Sequence, residues 1–157
     1  MGERSRILVV DDDESIRTVL ATIMEEEGYT VDVVHNGRDA IKKTQTKLYN
    51  LALIDIRLPD MEGTELLTRM KETIPKMRKI IITGYPSLKN AIEAVNRGAD
   101  AYVMKPFDME KVLKTIKEQL TKREQEKTYS QEKVAEFIET RVKELEAKKV
   151  ITDRKQR

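Results

Sequence analysis

Five short apolar runs, separated by segments with helical spacing, constrain the fold of this chain most strongly. The runs are rich in β-branched residues and read ILVV (7–10), VDVV (31–34), LALID (51–55), IIIT (80–83) and AYVM (101–104). Four of them are almost continuously apolar, which is typical of strands buried on both faces of a parallel sheet. Parallel strands need long crossover connections, and these are usually helices. The alternation therefore predicts an α/β fold.

Two of the intervening segments show an amphipathic pattern with apolar residues at i, i+3, i+4 and i+7. The two sets are Ile16, Val19, Leu20 and Ile23, and Leu88, Ala91, Ile92 and Val95. We expect each set to form one stripe that faces the sheet.

The ends of these helices are also marked in the sequence. Gly28 and Gly98 follow the first and fourth helical patterns, where a left-handed residue ends a helix. Ser87 and Asp108 precede the fourth and fifth patterns and are predicted N-caps.

Five strands alternating with five helices predict a (βα)5 doubly wound parallel sheet. The expected strand order is the flavodoxin-like 2-1-3-4-5, with an extra helix at the carboxyl terminus. In such a sheet, ligands bind outside the carboxyl ends of the strands, beside the point where the strand order reverses. Chemistry is therefore expected at the residues that end the strands.

Polar residues occupy these strand ends: Asp11, Asp12, Asp55, Thr83 and Lys105. Clustered carboxylates repel one another, and Mg²⁺ relieves the repulsion through oxygen ligands. A carboxylate is also a nucleophile toward phosphoryl groups. The Lys105 ammonium would attract a phosphate, and the Thr83 hydroxyl would donate to one of its oxygens.

Four segments carry a resemblance to a known family: VVDDDESIR, LIDIRLPDMEG, ITGYPS and ADAYVMKPF. In order and spacing they resemble the signature regions of two-component response regulator receiver domains of the CheY-like superfamily, across about residues 4 to 122. The resemblance implies that Asp55 accepts phosphate from a sensor histidine kinase. It also implies that Asp11, Asp12, Asp55 and the backbone carbonyl of Arg57 hold Mg²⁺.

The resemblance further implies a switch formed by Thr83 and Tyr102, which changes the surface presented to an unidentified downstream protein. It also implies a cis peptide bond between Lys105 and Pro106. Such a domain is not an enzyme in the usual sense, since it catalyses only its own phosphorylation and dephosphorylation.

Several other residues are given structural interpretations. Asp13 is interpreted as a solvated loop acid or a helix cap, and Gly63 as part of the turn before the third helix. His35, the only histidine in the chain, is interpreted as a surface or strand-end residue.

Composition limits the possible partners and location. The net charge of +2 results from interleaved charges of both signs, so no one-sided field favours nucleic acid or a membrane surface. The chain has no cysteine, and its amino terminus has no apolar stretch long enough for a signal peptide or membrane span. A cytoplasmic protein without direct nucleic-acid or membrane contact is expected.

Residues 123–157 form a predicted helical extension to a receiver domain at 1–122. Thr128 and Gln131 resemble a capping box, so a second helix either begins there or the fifth helix continues. An apolar stripe follows at Val134, Phe137, Ile138, Val142 and Leu145. The stripe either packs on its own domain or supports a phosphorylation-dependent homodimer.

Two other functions compete with the receiver interpretation. Asp11 and Asp13 have the two-residue spacing of phosphohydrolases of the haloacid dehalogenase type, but that interpretation leaves LPDMEG and MKPF unexplained. The chain is alternatively the receiver half of a transcription regulator whose effector part is missing.

Overall fold

The computed structural model describes residues 4–84, 86–106 and 108–155, with side chains up to residue 150. The strands are β1 (Arg6–Val10), β2 (Thr30–Val34), β3 (Leu51–Asp55), β4 (Arg78–Thr83) and β5 (Ala101–Met104). The helices are α1 (Glu14–Glu26), α2 (Gly37–Thr46), α3 (Gly63–Arg69), α4 (Leu88–Asn96) and α5 (Met109–Lys155). Elements alternate along the chain as predicted.

The five strands form one parallel sheet in the order β2-β1-β3-β4-β5, which confirms the predicted fold class and strand order. Every residue of β3 and β4 is buried, whereas the edge strands β2 and β5 are partly exposed. The parallel register places Val10 beside Ile54, Asp55 beside Ile82 and Thr83 beside Met104. The carboxyl ends of the strands therefore lie along one edge.

Alternate strand residues supply two apolar clusters. One cluster contains Leu8, Val10, Ala52, Ile54 and Ile81, and the other contains Ile7, Val9, Leu53, Ile80 and Ile82. Since successive side chains of a strand point to opposite faces, these clusters lie on opposite faces of the sheet. Helices cover both faces, which explains why the central strands read as continuous apolar runs.

Two charged residues begin β4, two positions before its predicted start. Lys79 is 1% exposed, and its ammonium donates to the carbonyl of Leu67 at 3.0 Å and to Glu72 at 3.1 Å. Arg78 pairs with Asp100 at 3.1 Å. These partners allow two cations to lie inside a buried strand, which an apolar run cannot indicate.

The two predicted helix stripes are partly wrong. In α1, Leu20 and Met24 are buried, but Val19 is 48% exposed. The difference is larger in α4, where the small Ala94 is buried and three larger side chains are exposed: Leu88, Ile92 and Val95. Contact with the sheet, rather than side-chain size, therefore determines which face of α4 is buried.

The predicted helix ends are confirmed. Gly28 and Gly98 have positive φ angles of 97° and 100°, where a side chain would be strained. Ser87 Oγ accepts the backbone N–H of Asn90 at 3.0 Å, and Asp108 Oδ1 accepts that of Glu110 at 3.0 Å.

The chain divides into two compact units, Met1–Arg123 and Glu124–Arg157. The helix α5 runs without a break from Met109 to Lys155. Of the two alternatives for the extension, the structure shows a continued fifth helix rather than a second helix that begins near Thr128, so the carboxyl-terminal helical segment is confirmed as part of α5. Among the described residues, no helix has the length and apolarity needed to cross a membrane.

Met24→Ala should lower the free energy of unfolding by about 2 to 5 kcal/mol, because its fully buried side chain would leave a cavity against the sheet. Val19→Ala in the same helix is the matched control and should change this free energy by less than about 0.5 kcal/mol. Urea unfolding followed by circular dichroism measures both. Equal losses in the two variants would contradict the packing described for α1.

Candidate functional site

Three carboxylates lie together at the carboxyl edge of the sheet. Asp11 follows β1 directly and Asp55 ends β3, and pairing of the two strands brings their ends side by side. Asp11 is 2% exposed and Asp55 8% exposed, whereas Asp12 faces solvent. One carboxylate oxygen from each lies within 4.8 Å of the others. The sequence prediction that these residues meet is confirmed.

Lys105 brings a positive charge into this cluster. It directly follows β5, and its Nζ lies 3.0 Å from Asp11 Oδ2 and 3.2 Å from Asp55 Oδ2. Its backbone N–H donates to the Thr83 carbonyl at 2.7 Å, which fixes the start of the loop against β4. The Lys105–Pro106 peptide bond is cis, as expected. One ammonium thus bridges two carboxylates that would otherwise repel each other.

The cluster shifts the protonation equilibria of its members. Burial, followed by the charge of Asp11, raises the pKa of Asp55 above its usual value, and Lys105 and the backbone N–H of Arg57 offset this only in part. Burial alone would lower the pKa of Lys105, but Asp11 and Asp55 outweigh it and raise that pKa. Ionisation of Asp55 therefore costs more free energy in this site than it would in water.

The remaining predicted site residues surround this cluster. Thr83 ends β4 and is fully buried. The Tyr102 ring is half-buried against the apolar cluster of Leu8 and Ile54, and its buried hydroxyl has no hydrogen-bond partner among the described residues. The exposed Arg57 donates its backbone N–H to Asp55 Oδ1 at 3.3 Å.

Asp13 and His35 have the structural roles that the sequence predicts. Asp13 Oδ1 accepts the backbone N–H of Ile16 at 3.1 Å and caps α1. His35 is exposed just after β2, with its Nδ1 3.9 Å from Asp39. Neither residue belongs to the carboxylate cluster.

Two contacts beside the site were not predicted. Arg17, one turn into α1, donates from its guanidinium to the Asp11 carbonyl at 2.8 Å. Gly63 packs on the backbone of Asp55, and a side chain there would overlap the Asp55 carbonyl. The LPDMEG motif is a signal for the glycine, but no sequence feature indicates the arginine contact.

The donor set suits a hard divalent cation. It consists of carboxylate oxygens without sulfur or imidazole, which favours Mg²⁺ or Ca²⁺ over softer metals. Burial and the charge of Asp11 raise the pKa of Asp55 despite the nearby Lys105, which is a second reason why a cation would be stabilising here. The residues present therefore fit Mg²⁺.

Comparison with known proteins identifies the family. Residues 7–117 match the model of the response regulator receiver domain. The chain belongs to this family, and the haloacid dehalogenase interpretation is not favoured. The transcriptional regulatory protein ZraR of Klebsiella oxytoca is 40% identical over 119 residues, which are 76% of this chain. The chain spans 27% of that relative's length.

Solved structures agree in fold. A CheY-like receiver domain protein from Methanospirillum hungatei JF-1 is 46% identical with a TM-score of 0.76, covering 79% of this chain and 99% of that one. The beryllofluoride-activated NtrC4 receiver domain dimer is 38% identical with a TM-score of 0.71, covering 75% and 98%. A Burkholderia pseudomallei response regulator with a phosphorylated aspartic acid and a calcium ion is 29% identical with a TM-score of 0.66, covering 78% and 72%.

Family membership sets the general role of the domain. Receiver domains are signalling switches in two-component phosphorelays, bind Mg²⁺ at an acidic pocket, and interact with histidine kinases and downstream effectors. Some of them dimerise, as the NtrC4 receiver domain does.

Asp55→Asn should stabilise the metal-free protein at pH 7. Because folding raises the pKa of Asp55, the wild-type protein loses stability as pH rises from the unfolded pKa of about 3.9 through the folded pKa. Asparagine stays neutral and avoids this loss. Urea unfolding with a chelator present, at several pH values, should show an advantage of the variant that grows with pH and then levels off. An advantage independent of pH would contradict the electrostatic argument.

Proposed function

We propose that Asp55 is the phosphoacceptor of this receiver domain and takes its phosphoryl group from a sensor histidine kinase. The single observation that carries the proposal is the bridging of Asp11 and Asp55 by the Lys105 ammonium at the end of a central strand. Asp55 would attack phosphorus, so that an oxygen–phosphorus bond forms while the bond to the donor nitrogen breaks. The phosphorylated aspartic acid in the Burkholderia pseudomallei relative supports this chemistry.

Each neighbour of Asp55 has a proposed role. The carboxylates of Asp11, Asp12 and Asp55 and the backbone carbonyl of Arg57 would hold Mg²⁺, which when bound supplies positive charge for the phosphoryl oxygens. Lys105 would turn from the Asp55 carboxylate to a phosphoryl oxygen, because both are anions within reach of one ammonium. Phosphoryl transfer and later hydrolysis are proposed as the only reactions of the domain.

Thr83 and Tyr102 are proposed to transmit the change. The Thr83 hydroxyl would donate to the phosphoryl group, and the Tyr102 ring would then occupy the space beside it. Tyr102 lies on β5, next to β4, and its hydroxyl has no partner among the described residues to oppose a movement. The output surface would be α4, β5 and the first turns of α5.

We propose that residues 1–122 act as the phosphoacceptor domain and residues 123–157 as an accessory helical segment. The chain spans 27% of the ZraR relative's length, so the whole-protein activity of such regulators is not transferred to it. The kinase and the downstream protein stay unidentified, and the expected cytoplasmic location without nucleic-acid contact stays a prediction.

Incubation with acetyl phosphate and Mg²⁺ should add one phosphoryl group to the wild-type chain and none to Asp55→Asn, as measured by intact-mass spectrometry. Asp13→Asn is the matched control, because Asp13 is an acidic neighbour that caps α1. It should label like the wild type. Full labelling of Asp55→Asn would show that another residue is the acceptor, and loss of labelling in Asp13→Asn would revive a role for Asp13.

A homodimer is the proposed output state. In the receiver unit, the exposed apolar side chains of the output surface are Leu88, Ile92, Val95 and Met104. In the unit Glu124–Arg157, the stripe of Val134, Phe137, Ile138, Val142 and Leu145 is 47–71% exposed. The activated NtrC4 receiver dimer supports association through the receiver unit. If the stripe packs against a second copy of the chain, its burial would favour the dimer by about 25 cal/mol per Å² of apolar surface.

Beryllofluoride with Mg²⁺ should shift the intact chain from monomer toward dimer in sedimentation experiments, and a chain ending at Arg123 should dimerise more weakly. The reason is that truncation removes the apolar stripe while leaving the output surface. Asp55→Asn is the control and should not respond to beryllofluoride. Monomers in all samples at high concentration would contradict the dimer proposal.

A further inference from the structure

The loop between β3 and α3 forms a short hairpin that starts at Asp55. Arg57 and Glu62 pair in an isolated antiparallel bridge, and the Leu58 N–H donates to the Met61 carbonyl at 3.2 Å. Because Arg57 lies in this hairpin, the position of its backbone depends on how the hairpin is held.

The base of the hairpin is fixed by close packing. The Gly63 N–H donates to the Ile56 carbonyl at 2.6 Å, and Gly63 lies directly on the Asp55 backbone. These contacts fix the two ends of the loop but not its tip, where Pro59 and Asp60 are exposed.

The tip is held by the Asp60 carboxylate. Its Oδ1 accepts the backbone N–H of Gly37 and its Oδ2 that of Arg38, each at 2.9 Å. Gly37 and Arg38 are the first two residues of α2, whose N–H groups have no partner within the helix. A carboxylate at a helix amino terminus is stabilised both by these charge-assisted hydrogen bonds and by the helix dipole.

A second contact joins the same two segments. Met61 lies against the buried Gly37, so closely that a side chain on Gly37 would overlap the Met61 thioether. Met61 also packs on the apolar cluster around Ile54. The hairpin tip is therefore attached to α2 by a polar and an apolar contact.

The helix α2 also has its own cap, in which Asn36 Oδ1 accepts the backbone N–H of Asp39 at 2.7 Å. The Asn36 cap stabilises α2 without touching the β3–α3 hairpin. Asp60 differs because its two hydrogen bonds connect residues 22 and 23 positions apart along the chain. Comparison of the two caps can therefore separate support of the helix from support of the hairpin.

We infer that Asp60 is a positioning residue, whose carboxylate anchors the β3–α3 hairpin to α2 and thereby holds the Arg57 backbone in place for Mg²⁺ beside Asp55. The inference rests on the proposed function, because it assigns a support to the proposed cation site. Asp60 itself does not contact the carboxylate cluster through any described hydrogen bond.

The test compares Asp60→Ala, Asp60→Asn and Asn36→Ala in the full chain by Mg²⁺ calorimetry. Asp60→Ala should weaken Mg²⁺ binding about 10-fold, at the low end of losses for residues that support metal ligands. Asp60→Asn keeps one acceptor oxygen and should lose less. Asn36→Ala should lower thermal stability but bind Mg²⁺ like the wild type. Asp39→Asn, which removes a charge from the same helix turn, controls for general electrostatics.

Amide hydrogen exchange without Mg²⁺ provides a readout independent of the cation. Asp60→Ala should speed exchange at Leu58, whose N–H closes the hairpin, more than Asn36→Ala does. Equal exchange in Asp60→Ala and wild type overturns the inference, as does a Mg²⁺ affinity within twofold of the wild type. Weakening in Asn36→Ala or Asp39→Asn as large as in Asp60→Ala also overturns it.

The outcomes distinguish this inference from the proposed function. If the wild-type chain neither binds Mg²⁺ nor labels with acetyl phosphate, the proposed function fails, and with it the assigned role of the anchor. If the wild type does both and Asp60→Ala does so equally well, only the inference fails. If Asp60→Ala does not fold, Asp60→Asn provides the same comparison with smaller expected changes in Mg²⁺ affinity and amide exchange.

Discussion

Parallel pairing of the strands is the constraint on which the site depends. Because every strand runs the same way, the residues that follow β1 and β5 reach the same edge as the last residue of β3, although Lys105 is 94 residues from Asp11 and 50 from Asp55. The same alignment forces like charges together. Lys105 compensates two carboxylates in part, but burial, followed by the charge of Asp11, still raises the pKa of Asp55. With three carboxylates and one ammonium, the site has an excess of negative charge before a cation or a phosphoryl group enters it.

The central strands and the carboxylate cluster could be predicted because they depend on local patterns. The run at Leu51–Asp55 is apolar up to its last residue and buried over its whole length. Once the strands are parallel, register alone brings Asp11 and Asp55 together, so no knowledge of side-chain packing is needed. Roles in chemistry required more than this: the switch role of Thr83 and Tyr102 and the ligand role of the Arg57 carbonyl came from family resemblance rather than from spacing.

The buried faces of the helices could not be predicted as well as the central strands. Periodicity shows that α4 has an apolar stripe, but not that the small Ala94 is the buried member while Leu88 and Val95 are exposed. A helix that approaches a sheet closely buries small residues, and the depth of approach is a property of the whole fold. Exposed large side chains on α4 are therefore consistent with an output surface as well as with imperfect amphipathicity.

Contacts made by loop residues are the other feature that could not be predicted from the sequence. They determine how Asp55 is connected to the rest of the domain. One connection runs from Asp55 through Lys105, whose backbone N–H donates to the Thr83 carbonyl, and so reaches β4 and β5. The other runs through the hairpin to Asp60 and α2. Neither Asp60 nor its partners have a local pattern that reveals the pairing, since each is an ordinary loop or helix-end residue. A phosphoryl group on Asp55 would act on both connections, so the hairpin that we propose to support cation binding would also link the site to α2, on the side of the sheet away from β5.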